Sequence, residues 1–123
     1  MHQILAEGQG RAAIETFFRK IIDDARSPEF FNGCMSTNQA VELAPHDPEI
    51  RSRVERDFQL IEDTLASTIA RGKEDGSVTT GQDPRRLARL LVVAFPGLQV
   101  MVRAQSPTPR LRDALDLLLE NLD

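Results

Sequence analysis

The chain has neither tryptophan nor tyrosine, and it contains one cysteine and two histidines among its 123 residues. A single cysteine, Cys34, excludes a disulfide within the chain and is typical of a reducing compartment, so we expect a cytoplasmic protein. With so few histidine and cysteine side chains, the sequence disfavours an enzyme. The sequence predicts no catalytic residue, no metal site and no cofactor, since the glycines also form no phosphate-binding loop after a strand.

Long apolar runs and an excess of basic residues are missing as well. No run approaches the roughly 20 residues that a membrane-spanning helix needs, and the N-terminus lacks the pattern of a signal peptide. Lysine and arginine number 15 against 19 aspartates and glutamates, for a net charge of -4. Because a surface that grips nucleic acid is basic, we expect neither DNA nor a membrane to bind this chain directly. Its length fits one domain, residues 1–123.

One catalytic interpretation has to be weighed against a structural one. Cys34 could act as a nucleophile only with a base beside it, and His46 is the candidate that the sequence offers. The interpretation we favour has Cys34 as a small buried side chain and His46 in a loop. Metal ligation by Glu42 and His46 fails because Pro45 interrupts the helix that would place them on one face.

Proline marks the starts of helices clearly. Asp47-Pro48, Asp83-Pro84 and Thr108-Pro109 each place a capping side chain before a proline, which is the pattern of a helix N-terminus. Only residues 77–80 look strand-like, and one short strand cannot form a sheet. The sequence therefore predicts an all-α fold. Apolar spacings of three and four predict a five-helix bundle with helices over residues 10–24, 30–44, 48–71, 84–104 and 109–122.

The second predicted helix, residues 30–44, carries no charge before Glu42. A segment without a charged face is expected to run through the middle of a bundle. Its neutral polar side chains, including Asn38 and Gln39, then need hydrogen-bond partners from the protein, from water or from a ligand.

The phenylalanines leave two interpretations open. Ordinary core packing accounts for most of Phe17, Phe18, Phe58 and Phe95, but some of them could line an apolar ligand cavity between helices. The uncharged second helix favours the cavity slightly.

The fourth and fifth predicted helices are too apolar for one packing partner. A helix with apolar residues on nearly every side must bury two faces, so we expect a homodimer joined through these two helices. Pro96 should bend the fourth helix. The expected interface residues are Leu91, Leu98, Val102, Leu111, Leu115 and Leu118.

Two segments resemble a known family, the TetR/AcrR transcriptional regulators, in their C-terminal regulatory domain. The first, which is the more specific, comprises Gly33-Cys34-Met35, Asn38 and the run from Ala40 to Ile50, AVELAPHDPEI. The second resembles the family's eighth helix, and comprises Asp83-Pro84, Leu87-Ala88-Arg89, Leu91, Gly97-Leu98, Val100, Val102 and Ala104. Together the resemblance covers the chain from about Gly10 onward.

The resemblance implies an effector-binding and dimerisation domain that senses a small molecule of unknown identity and controls the DNA binding of a full-length repressor. Its five helices would correspond to the fifth to ninth of the family fold, with the last two forming a four-helix dimer interface. Family pockets lie among the fifth to eighth helices. Helix position then implies these ligand-binding candidates: Phe17, Ile21, Cys34, Asn38, Phe58, Ile61, Phe95 and Gln99.

The family's N-terminal DNA-binding unit and its connecting helix are not in this sequence. We expect the chain to be either a fragment or a natural protein that lacks the DNA reader, with DNA contact only through the missing domain. The alternative hypothesis is a stand-alone helical dimer that serves as an interaction protein and has no ligand pocket.

Overall fold

A computed structural model describes residues 2–23 and 42–123 of the chain, and the predicted all-α class is confirmed there. Most of the second predicted helix, with Cys34 and Asn38, lies outside the described residues. Residues 43–46 form a turn, in which the N–H groups of His46 and Asp47 donate to the Leu43 carbonyl. The described helices are α1 (His2–Ala6), α2 (Gly10–Asp23), α3 (Pro48–Asp75), α4 (Pro84–Arg103) and α5 (Thr108–Leu119), followed by a 3₁₀ turn, Glu120–Leu122.

Helix α2 follows its apolar spacing closely. Ile14, Phe17, Phe18 and Ile21 are all buried, which is the stripe that the three- and four-residue repeats predict. Helix α1 was not predicted, because five residues are too few to show a helical repeat. It is held by the buried side chain of Leu5 and by the Thr68 hydroxyl, which lies 3.2 Å from the Leu5 carbonyl oxygen.

Helix α3 begins as predicted and ends one turn later than predicted. The Asp47 carboxylate accepts from the N–H groups of Glu49 and Ile50, at 3.0 and 3.3 Å. Glycine can end a helix, and both Gly72 and Gly76 follow the predicted end at residue 71. Only Gly76 does so, in the left-handed conformation at φ 84°, because Gly72 is needed inside the helix for a close contact with α2.

The two C-terminal helices differ in how they begin. The Asp83 carboxylate caps α4 by accepting from the N–H of Arg86 at 3.1 Å, and α4 continues through Pro96. The prediction that Thr108 caps α5 is wrong. The helix begins at Thr108 itself, Pro107 occupies the capping position, and no side-chain capping bond forms.

The described part of the chain has one apolar core, and α2 lies at its centre against α3, α4 and α5. Residues 77–80 form no strand. Instead Val78 is buried, and the N–H groups of Thr79 and Thr80 donate to the Leu122 carbonyl. None of the described helices has both the length and the apolar content that crossing a bilayer requires.

Candidate functional site

The centre of the described bundle is aromatic. Phe17 of α2 stacks on Phe95 of α4, with ring centroids 5.4 Å apart and planes 12° apart. It also meets the edge of Phe18 at 5.2 Å and 79°. Both geometries are favourable for aromatic pairs, so Phe17 joins α2 to α4.

Three further ligand candidates lie in or beside this cluster. Ile21 and Ile61 belong to the same buried cluster as Phe17 and Phe95. Gln99 follows Phe95 by one helical turn and is 7 % exposed. A buried amide requires hydrogen-bond partners, and it gives this apolar region one group that could orient a polar ligand. The structure therefore brings together five of the eight candidates.

Phe58 is the sixth described candidate, and it packs against this cluster at the edge of the core. It is half-buried and lines a groove of about 320 Å³ between α3 and α4. None of the core candidates lines this groove, and Cys34 and Asn38 lie outside the described residues. The groove is lined by Glu55, Phe58, Gln59, Glu62, Val92, Val93 and Pro96.

The six expected interface residues lie mostly inside one chain. Leu91, Leu111 and Leu115 are 1–6 % exposed and Val102 is 9 % exposed. Side chains this deeply buried have little surface left for a second copy. Two of the six are partly exposed at the edge of the core, Leu98 and Leu118.

A different set of apolar residues on the same helices faces outward, and we call it the outer stripe. Val93 is 73 % exposed and Leu117 is 63 % exposed. Gly97 lies between Val93 and Val100 with no atom within 4 Å of where a Cβ would be. No sequence signal separates this set from the buried one, because α4 carries apolar residues on nearly every side. The outer stripe comprises Leu90, Val93, Gly97, Val100 and Met101 of α4 and Leu117 of α5.

A group of ion pairs joins α3 to the start of α4. The Arg85 guanidinium donates to Glu62 at 2.9 Å and to Asp63 at 2.7 Å. Arg89 lies 3.8 Å from Glu62. Hydrogen bonds from Arg85 and then Gln59 lower the pKa of Asp63 below its ordinary value.

The start of α2 is anchored to the end of α3. The Asp75 carboxylate accepts from the N–H of Gly10 at 2.9 Å, and the Ser77 hydroxyl accepts from the N–H of Arg11 at 3.1 Å. These two donors lack partners within their own helix. A Cβ on Gly10 would lie 2.4–2.5 Å from backbone atoms of Gly72 and Thr68, so the two helices cross at backbone contact.

Comparison with known proteins agrees with this architecture. Residues 10–118 match the family model for the tetracyclin repressor-like C-terminal domain. The chain is also similar to YezE, an uncharacterized HTH-type transcriptional regulator of Bacillus subtilis (strain 168), with 31% identity over 125 aligned residues. That alignment covers all of this chain and 64% of YezE, so the chain spans less than two thirds of this relative. No solved structure matches.

Proposed function

Because this chain belongs to the tetracyclin repressor-like C-terminal domain family, we propose that it binds a small-molecule effector and pairs with a second copy, within a transcriptional regulator. Membership of that family supports a regulatory role. The effector, the pairing and the control of DNA binding are the parts that experiments must test.

The core cluster supports effector binding in the bundle. Ligand sites in helical domains lie between helices, are mostly apolar, and hold a few polar groups that fix orientation. Phe17, Ile21, Ile61 and Phe95 supply the apolar wall, and Gln99 supplies a buried amide. In this proposal Phe58, Cys34 and Asn38 complete the site.

A thermal-shift screen tests effector binding directly. A compound that binds only the folded chain raises its melting temperature as the concentration increases. We expect small apolar compounds with one hydrogen-bonding group to do so. Gln99→Leu should reduce the shift of such a compound, whereas Gln3→Leu, at an exposed position of α1, should not. If no compound in a diverse library raised the melting temperature, the effector proposal would fail.

The outer stripe is the observation that carries the proposed pairing. Five of its residues lie along one side of α4 and the sixth, Leu117, is exposed on α5. We propose that together they form an apolar patch of a kind that soluble monomers seldom expose. Gly97 at the centre would allow two α4 helices to approach closely, because it has no side chain. Two copies related by a two-fold axis would form a self-complementary four-helix interface. Sedimentation at low micromolar concentration should give twice the mass of one chain.

We propose control of DNA binding for a full-length regulator that contains this chain. The relative's name describes an HTH-type regulator, and this chain spans 64% of its length. The net charge of the chain is -4, whereas a protein surface that grips a duplex is basic. We therefore propose that the chain alone does not bind duplex DNA sequence-selectively. A gel-shift titration at low and moderate salt tests this, and selective binding below micromolar concentration would contradict it.

The alternative is a helical dimer without an effector. The observation that favours it is the tight stacking of Phe17 on Phe95, which fills the centre of the described bundle. In that case sedimentation would show the dimer, and the thermal-shift screen would yield no ligand.

A further inference from the structure

The groove between α3 and α4 has properties that the proposed function does not use. Its volume of about 320 Å³ is at the lower end of the range for small-molecule sites. Its apolar surface comes from Phe58, Val92, Val93 and Pro96, contributed by both helices. None of the buried residues around Phe17 lines it.

The polar groups along the groove are acceptors. Glu55 and Glu62 contribute carboxylates, and no lysine, arginine or histidine is among the described residues that line the groove. The Gln59 amide nitrogen donates to Glu62 at 3.2 Å and to Asp63 at 2.9 Å, which leaves its carbonyl oxygen as the remaining polar group. Pro96 has no N–H to offer.

The carboxylates at the groove outnumber the guanidinium groups that pair with them. Arg85 and Arg89 lie beside Glu62, at 2.9 and 3.8 Å, while Arg85 also pairs with Asp63. Among the described residues Glu55 forms no ion pair. Arg51, one turn before Glu55, donates instead to the Ala44 carbonyl at 3.2 Å. Three carboxylates, of Glu55, Glu62 and Asp63, thus face two guanidinium groups.

We infer that this groove is a binding site for a small apolar molecule that carries one positive charge. The apolar part of such a molecule would lie on Phe58, Val92 and Pro96. Its cationic group would lie beside Glu55, where the nearby aromatic ring of Phe58 adds a further attraction for a cation. This site does not depend on the proposed core effector site, with which it shares only Phe58.

Three soluble probes with the same apolar part and different charge test this inference. 4-Phenylbutylammonium is cationic, 4-phenylbutanol is neutral and 4-phenylbutyrate is anionic at pH 7. Titrations of the ¹⁵N-labelled chain by NMR give both the affinity and the amides that respond. The cation should bind up to about fivefold more tightly than the alcohol, which is the range that an exposed ion pair provides. The anion should bind more weakly than both. Amide shifts should centre on Phe58, Gln59 and Val93.

A pair of variants isolates the charge. Glu55→Gln should remove most of the preference for the cation over the alcohol and leave the affinity for the alcohol unchanged. Glu74→Gln, an exposed glutamate on α3 that does not line the groove, should change neither affinity. Equal affinity for the three probes in the wild-type chain would overturn the inference.

Three further outcomes of these titrations also test the groove site. Binding of no probe would overturn the inference, including the case in which a second copy covers the groove through Val93. Shifts centred on Phe17 and Phe95 would overturn the groove site while supporting the core effector site. A groove that binds the cation while the thermal-shift library yields no hit would support the groove site and contradict the core effector proposal.

Discussion

Gly10 and Gly72 lie where the structure leaves no room for a side chain. Their backbones touch where α2 crosses α3, and Gly72 in turn lies against the Val78 side chain. Glycine is required here by the close approach of two backbones rather than by a positive φ. The contact also places the N–H of Gly10 beside the Asp75 carboxylate.

Gly10→Ala is expected to destabilise the chain by about 2 kcal/mol or more, since added atoms in a well-packed site cost roughly 1–3 kcal/mol. Its Cβ would meet backbone atoms of Gly72 and Thr68 at 2.4–2.5 Å, and backbone cannot move aside as a side chain can. Gly81→Ala is the control, because a Cβ there meets nothing within 4 Å. Urea unfolding of both variants measures the difference, and equal stabilities would refute the prediction.

Asp75 should make the free energy of unfolding depend on pH. Hydrogen bonds from the Ser77 side chain, and from the N–H groups of Gly10 and Ser77, lower the pKa of Asp75 below its ordinary value of 3.8. Because the folded pKa is the lower one, the stabilisation is complete above about pH 4 and is lost as the pH falls through the folded value.

The measurement is urea unfolding of wild type and Asp75→Asn at pH 7 and pH 3. The variant should be less stable at pH 7, and its stability should fall less between the two values. Asp63, whose pKa is lowered by Arg85 and Gln59, should leave part of the acid dependence in the variant. An unchanged acid dependence in Asp75→Asn would exclude this role of Asp75.

At the scale of the helices, three proline-containing starts that look alike in sequence behave differently. Asp47 and Asp83 accept hydrogen bonds from the first turns of α3 and α4. Thr108 does not cap α5, whose first carbonyl acceptor is that of Pro107. The difference is local, because a threonine at the first helical position cannot also precede the helix as its cap.

Alanine substitutions at Asp47, Asp83 and Thr108 should therefore have unequal effects on the free energy of unfolding. Asp47→Ala and Asp83→Ala should each cost about 1 kcal/mol, the usual value of an N-terminal cap. Thr108→Ala should change the free energy of unfolding by less than about 0.5 kcal/mol, as expected of an exposed position without a specific contact. Chemical denaturation of the three variants compares them under one condition. A loss at Thr108 equal to that at Asp47 would show that Thr108 caps α5 after all.

At the scale of the whole molecule, α4 has two apolar faces, of which one is buried in the chain's own core and the other is exposed. Leu87, Leu91 and Phe95 face the chain's own core. The outer stripe on the opposite side has no partner within the described part of the chain. A second copy would bury it in an interface that resembles a core divided in two.

Val93→Glu should dissociate the proposed dimer without unfolding the chain. Val93 is 73 % exposed, so a charge there remains in water in the monomer and becomes buried only on pairing, where burial of a charge is costly. Arg53→Glu places a glutamate at an exposed position of α3 outside the outer stripe. It changes the net charge by two units instead of one, and should still leave the mass unchanged. Sedimentation with circular dichroism separates dissociation from unfolding. A dimeric Val93→Glu chain would contradict the proposed interface.

The sequence by itself determined the local features of this protein. Helix class, the capping aspartates Asp47 and Asp83, and the buried stripe of α2 depend on residues within about one or two turns of one another. Those interactions leave a repeat or a capping pair that can be read directly. The resemblance to the regulator family was carried by local runs of the same kind.

Only the tertiary structure decided which side of α4 is inside the chain. A helix that is apolar all round offers no polar face to orient it, so the inward Leu91 and the outward Val93 could not be told apart from spacing alone. The sequence pattern also did not reveal that α3 continues for one turn beyond residue 71. Gly72 resembles a helix stop until Gly10, 62 positions earlier in the chain, is placed against it. The pairing of Phe17 with Phe95 and the groove beside Glu55 likewise depend on side chains brought together from separate helices, and such contacts leave no local pattern.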